Sequence, residues 1–368
     1  MSMNAVRWTK VAPWGAAFVV FGWGCGGEVG ERDLVFYEHR GNTQGTTYLV
    51  KYEAPKLQPQ SELDSILRAV DEAANLWWDT SVISEVNAWD RLDTLYAFQD
   101  ESFIFSSLWL MSEELHVETG GAFDPTVLPL VELWGFGLSE RGQITPEQVD
   151  SALALVGMGR GVIDVHHVER DHAISATHVR KRFAGSKVDF NSIAQGFTVD
   201  LVMEWLLDSG IENAMVEIGG EVRCAGVNDR GEPWHIAIDQ PLFTESENRE
   251  LEAIIAVSDL ALCTSGSYRK FYEEDGIRRS HTIDPVSGYP VQHGLLSATI
   301  RARTAATADA LATACMVMGP DEGAAFIERY QTAHPEQQLE AIFLIANEGG
   351  GWNTWMTSGW GDGLIPLN

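Results

Sequence analysis

Positive charge is scarce in this chain: 25 Lys and Arg stand against 53 Asp and Glu in 368 residues, a formal net charge of −28. A field of that sign repels phosphate backbones and excludes a general nucleic-acid binder. It repels anionic nucleotides as well, so any phosphate site must bring its own cation or backbone amides. Outside such a site, the acidity reads as solubility. Cysteine is scarce too, with 4 in the whole chain. Cys224, Cys263 and Cys315 lie in apolar surroundings, at spacings that make neither a disulfide framework nor a zinc site. They read as buried free thiols. No internal repeat is present and no linker interrupts residues 40–368, which favours one mixed unit of helices and strands. What is plentiful is tryptophan, 13 in all, beside an ordinary apolar fraction, and this argues against disorder.

The N-terminus has the pattern of an export signal. Arg7 and Lys10 precede the apolar run Val11 to Gly24, which is too short to cross a bilayer as an ordinary helix. Its end, Gly22-Trp23-Gly24-Cys25, resembles a bacterial lipobox, departing from it at Gly22, where a Leu-like residue is usual, and at the bulky Trp23. The expected division is a signal peptide over residues 1–24, a linker over 25–40 behind a lipid-anchored Cys25, and one domain over 41–368. Simple secretion is the next reading and a retained anchor the last.

Along the domain, Thr46–Tyr52 reads as the first strand, entered through Gln44-Gly45. Helical periodicity covers Ser61 to Asp79, with Ser61 as cap and Trp77 on the apolar face, and again Phe103 to Val117 before Gly120-Gly121. Thr145-Pro146-Glu147-Gln148 is a capping box that opens a helix to about Val156. Two strands meet around Glu169-Arg170-Asp171, carrying His166, His167, His172 and His178, which read as surface residues. Val188 to Gly196 passes from a strand end into a helix that continues through Leu206, whose N-terminal amides suit phosphate. Val216–Glu221 reads as a strand broken by Gly219-Gly220, and Trp234–Ile238 as the return strand of a hairpin turned at Asn228–Gly231. The chain finishes with a helix over Glu322–Tyr330 and strands about Gly349–Gly351.

The chemistry concentrates between Ser280 and Gly319. Ser280-His281-Thr282-Ile283-Asp284-Pro285 is followed by a turn at Ser287-Gly288, the strand Leu295–Arg303 and the small-residue helix around Ala308–Thr313. Asp309 and Thr313, four positions apart, place a carboxylate and a hydroxyl on one helical face. That pair suits a hard cation such as Mg²⁺, which keeps waters and completes its shell with phosphate. The competing reading is a solvated pair or a local hydrogen bond.

Taken in order, these stretches resemble the ApbE family, the bacterial FAD:protein FMN transferases. The likeness runs through Gly45-Thr46, Ser81–Asn87, Gly121-Ala122-Phe123-Asp124-Pro125-Thr126 with Trp134-Gly135-Phe136-Gly137, and Asp189 to Gly196. It continues through Gly219-Gly220, Thr264-Ser265-Gly266, His281–Pro285 with Gly288, and Ala308–Thr313, spanning about residues 43–346. The resemblance implies an α+β fold with mixed sheets, related to the T-fold, and a flavin cleft between interleaved lobes. It implies Mg²⁺-dependent cleavage of FAD, transfer of FMN to a Thr or Ser hydroxyl of an acceptor protein such as a redox-complex subunit, and release of AMP. In this reading Asp309, Thr313 and a carbonyl near Ser192 bind the metal, and His281 sits by the pyrophosphate as base or as orienting group. Gln44, Gly45, Trp78, Ala122, Phe123, Asp124, Asp189, Gln195, Ile283 and Asp284 line the FAD pocket. Gln195 departs from a common Lys or Glu, Val82 from a common acid and Gln44 from a frequent Met, departures that bear on affinity more than on reaction class. The implied location is the periplasmic side of a bacterial membrane, held there by lipid on Cys25, or else the periplasm or exterior. The alternatives are an FAD pyrophosphatase giving FMN and AMP, and a non-catalytic flavin-binding lipoprotein.

Overall fold

A computed structural model describes residues 34–365 except 93, 99, 101, 137–143, 171–172, 242–250, 268–270 and 275–276. The expected export signal, Cys25, His172 and Gly137 lie outside the described residues. The described chain is an α+β structure centred on an eight-stranded sheet. From edge to edge the strands are Val35–Thr43, Thr46–Ala54, Ala214–Ile218, Glu221–Ala225, Ala261–Gly266, Leu295–Ala302, Glu340–Ala346 and Trp352–Met356. Every neighbouring pair is antiparallel.

The sheet is covered differently on its two faces. In Thr46–Ala54 the buried residues alternate as Tyr48, Val50, Tyr52 and Ala54, the pattern of a strand with one buried face. Leu295–Ala302 is buried along almost its whole length. Leu295, Ala298, Ile300 and Ala302 turn to the main core beneath the helices Ala194–Asp208 and Ala305–Met318. On the opposite face Leu296 joins Val222, Leu262, Ile342 and Leu344 against a small sheet of Trp234–Asp239, Leu251–Val257 and Leu364–Ile365. A strand sandwiched this way needs apolar residues on both faces, which is why alternation disappears from its sequence.

The helix Ala305–Met318 is buried nearly all round, with Ala305, Ala306, Ala308, Ala310, Ala312 and Ala314 among its enclosed residues. Alanine favours the helix and lets neighbours approach its axis. The closest approach is at Gly196, where a Cβ would stand 2.4 Å from the Ala305 carbonyl oxygen. A third sheet sits elsewhere on the core, with Tyr96–Phe98 paired to Ala173–Lys181 and that strand to Ile163–Arg170.

Several local expectations hold. The helix Ile104–Glu118 forms, Pro146–Leu153 opens with both halves of its capping box, and Cys224, Cys263 and Cys315 are buried free thiols. Others are corrected. The strand Val35–Thr43 occupies residues expected to be linker up to 40, because the whole hairpin through Gln44-Gly45 pairs in register. The first helix is Gln60–Ala74, beginning after Pro59 without a side-chain cap, and Trp77 is exposed. Gly219-Gly220, both at positive φ, are not a break in a strand but the turn of the hairpin Ala214–Ile218/Glu221–Ala225. Trp234–Asp239 does not return against that hairpin. It pairs with Leu251–Val257, and Trp234 and Ile238 bury their side chains in the second core. Of the histidines, His166 is exposed whereas His167 and His178 are half-buried.

Candidate active site

The site grows from the crossing of the helices Ala194–Asp208 and Ala305–Met318. Asp309 is only 5% exposed, and its Oδ2 accepts a hydrogen bond from the Gly196 amide at 3.1 Å. Burial pushes its carboxyl up to about 7, against the pull of the Gly196 N–H and with the charge of Asp200 adding to the rise. Glu221 is buried beside it. Burial first, then the charge of Asp309, raises its carboxyl well above the ordinary range, opposed by the Cys263 thiol and the Thr264 amide. A carboxylate that must shed water beside other acids favours a proton or a cation.

One turn along from Asp309, the Thr313 hydroxyl lies 3.0 Å from the Ser265 hydroxyl. Ser192 stands in the turn just before the helix Ala194–Asp208. Among the described residues no three His, Cys, Asp or Glu side chains converge to hold a metal by themselves. A cation here would draw on a carboxylate, a hydroxyl and a backbone carbonyl, leaving positions for water and phosphate. This is the habit of Mg²⁺ rather than of zinc. The residues fit the implied ion.

The hairpin tip reaches the same helix. Gln44 and Gly45 both take positive φ, the geometry of a two-residue turn. Gln44 donates from Nε2 to Thr198 Oγ1 at 2.6 Å, while its Oε1 is buried with no partner in the protein. A buried acceptor left without a donor is uncommon in a folded interior. Gln195 folds against Gly219, where a Cβ would come 3.2 Å from its amide atoms.

A second group of residues is tied to the first through Asp189. Its backbone N–H donates to the Pro125 carbonyl at 2.7 Å, and its Oδ1 accepts from the Asn191 amide at 2.7 Å, one residue before Ser192. Burial lifts its carboxyl to about 6, with the Asn191 bonds opposing and Glu132 adding. In the preceding loop, Asp124 Oδ1 accepts from the Thr126 amide and hydroxyl, and Oδ2 from the Met158 amide at 2.9 Å. Its two oxygens thus tie the loop to itself through Thr126 and to the distant Met158. Phe123 is buried and Ala122 half-buried, and the Phe123 carbonyl accepts from His116 Nδ1 at 2.9 Å.

Trp134 Nε1 donates to the Gly288 carbonyl at 2.8 Å, joining that loop to the His281–Gly288 segment. Ile283 is buried with Leu130, Trp134 and Val149. Asp284 accepts from Val286 and Ser287 amides, so its carboxylate closes its own turn. His281 is half-buried with its ring edge-on to Phe136, 6.4 Å between centroids. Trp78 is different: it lies 41% exposed, just beyond the first helix.

Three residues escaped the sequence reading: Asp200, Glu221 and Arg223. An acid inside the apolar helix at Asp200 and one directly after Gly219-Gly220 were the available signals. Arg223 carried none, because its pairing to Asp200 at 3.0 Å depends on the sheet.

Fold and site together define an α+β protein in which two crossed helices bury acidic side chains beside the tip of a two-residue hairpin turn. The chain belongs to the ApbE family, whose model matches residues 44–343. It is 36% identical over 322 residues to the Haemophilus influenzae protein named FAD:protein FMN transferase, covering 85% of this chain and 87% of that one. A Vibrio cholerae protein of the same name is 36% identical over 302 residues, 79% of this chain and 84% of that one. Among solved structures, the flavin transferase ApbE from Vibrio cholerae superposes with a TM-score of 0.73 at 32% identity, covering 89% of this chain and 99% of that one. The apo flavinyl transferase ApbE of Pseudomonas stutzeri gives 0.74 at 32% identity, with 90% and 97% covered.

Proposed function

We propose that this chain is a Mg²⁺-dependent FAD:protein FMN transferase, joining FMN through its phosphate to a Thr or Ser hydroxyl of an acceptor protein and releasing AMP. The observation that carries this reading is Asp309, a buried carboxylate among acids, one helical turn from the Thr313 hydroxyl and fixed by the Gly196 amide. Asp309, Thr313 and the Ser192 carbonyl would hold the metal, which supplies neutralisation of the pyrophosphate when bound. The relatives' printed names support the reaction class.

The chain's own residues have separable tasks. Gln44, through its unpartnered Oε1, and the loop shaped by Asp124 bind and orient the dinucleotide. His281 takes the proton of the acceptor hydroxyl as its oxygen bonds to the FMN phosphorus and the bond to the AMP phosphate breaks. Water must be kept from that phosphorus, since a water in place of the hydroxyl gives free FMN. The reading includes export and attachment to the periplasmic face of a membrane through lipid on Cys25.

The test is to incubate the full chain with FAD, Mg²⁺ and a candidate acceptor protein, and to weigh the acceptor by mass spectrometry. An acceptor heavier by one FMN, with AMP released, is the expected result. Free FMN with AMP and an unmodified acceptor would replace transfer by hydrolysis, and bound FAD without turnover would leave a carrier.

A further inference from the structure

The helix carrying Asp309 and Thr313 is held at its start by a side chain from another helix. Asp200 Oδ1 accepts from the Ala305 amide and Oδ2 from the Ala306 amide, both at 2.9 Å. First-turn amides have no partner within their own helix. Thr304, the local cap, accepts from the Thr307 amide and donates to the Thr307 hydroxyl, so it does not serve the Ala305 or Ala306 amides. Arg223 backs Asp200 from behind, with Nη1 at 3.0 Å from Oδ1 and Nη2 at 2.8 Å from Glu204.

One turn earlier on the Asp200 helix, the Gly196 amide donates to Asp309. The two helices are therefore joined twice in opposite senses, carboxylate to amide at 200/305–306 and amide to carboxylate at 196/309. Both pairs are spaced by one helical turn, so a slide of either helix breaks both together. Ser192 precedes one helix, and Asp309 and Thr313 lie on the other. A cation shared between them senses that slide directly.

We propose that Asp200, backed by Arg223, is a positioning residue that sets the register of the two helices and with it the gap across which the cation is held. It acts through Ala305 and Ala306 and is not itself a ligand. The inference rests on the cation assignment made above. It differs from a merely structural cap, whose loss lowers stability but leaves the Mg²⁺ affinity of the folded protein unchanged. It also differs from simple electrostatics, and Arg223 separates the two. Removing that guanidinium makes the pocket more negative, which by charge alone tightens Mg²⁺ binding, whereas loss of register weakens it.

The experiment is calorimetric titration of the full chain with Mg²⁺, on variants shown to be folded by near-ultraviolet circular dichroism. Asp200→Asn should weaken binding by about 10–100-fold, the range for loss of a group that orients metal ligands. Arg223→Gln should weaken it too, and it carries the test should Asp200→Asn not fold. Native or tighter affinity in folded Arg223→Gln overturns the proposal. Asp309→Ala is titrated alongside. If it loses Mg²⁺ while the other variants bind normally, the clamp alone is wrong. Should it bind as the native chain does, the cation assignment itself falls and takes the clamp with it.

Discussion

Replacing Gly196 by Ala tests the helix crossing with two opposed effects of known size. In an isolated helix the change is favourable by about 1 kcal/mol. Here the added Cβ would lie 2.4 Å from the Ala305 oxygen, 2.6 Å from its carbonyl carbon and 2.8 Å from Asp309 Cβ. The first two are backbone atoms, so relief requires the helices to part. Overpacking of this kind costs about 1–3 kcal/mol. Parting also stretches the Gly196–Asp309 bond, whose charged acceptor makes it worth roughly 1.5–3 kcal/mol. The clash wins: Gly196→Ala should destabilise the protein by about 1.5–5 kcal/mol, the two costs less the propensity gain. Urea unfolding monitored by tryptophan fluorescence measures this, and Mg²⁺ titration of the folded variant should show weakened binding. A variant as stable as the native chain, with native Mg²⁺ affinity, would refute the close crossing on which the site is built.

Three further outcomes are expected. Ser265→Ala removes the group that meets the Thr313 hydroxyl, freeing it to turn toward the carbonyl one turn back; Mg²⁺ affinity should fall by about tenfold, within the range for a lost orienting partner, and an unchanged dissociation constant would dismiss that role. Burial raises the Asp309 carboxyl to about 7, while an unfolded Asp titrates near 4. The folded chain therefore holds the extra proton between those values, and its cation-free stability should decline as pH rises through that window. Saturating Mg²⁺ should raise the thermal midpoint more at pH 8 than at pH 5, and equal shifts would contradict this. His281→Asn should slow FMN transfer by about 10²–10⁴-fold if the imidazole carries the proton, with FAD binding retained in a fluorescence titration; near-native transfer would reduce His281 to an orienting group.

What a short stretch of residues can specify was legible without a structure. The capping box at Thr145, the helix Ile104–Glu118 and the final hairpin over Glu340–Met356 each follow from signals within one or two turns of chain. The Asp309–Thr313 spacing likewise placed both oxygens on one face, because helical periodicity alone decides that. Where local pattern misled, a distant contact had overridden it. The strand of Trp234 pairs with Leu251–Val257 instead of the preceding hairpin, while its ring is buried in a second core with Ile255, Leu296 and Trp360 and its Nε1 donates to the Ala225 carbonyl. What Asp124 and Asp284 bond to was equally hidden: Asp284 accepts from amides of its own turn, and Asp124 accepts from Thr126 and, across the fold, from the Met158 amide. Asp200 stood out only as an acid within an apolar helix; its task was hidden because its partners Ala305 and Ala306 stand more than 100 residues away. The order of residues set the elements and the chemistry they carry. Only packing in three dimensions determined which carboxylates kept a free lone pair, because hydrogen-bond satisfaction in a buried interior is settled by neighbours in space.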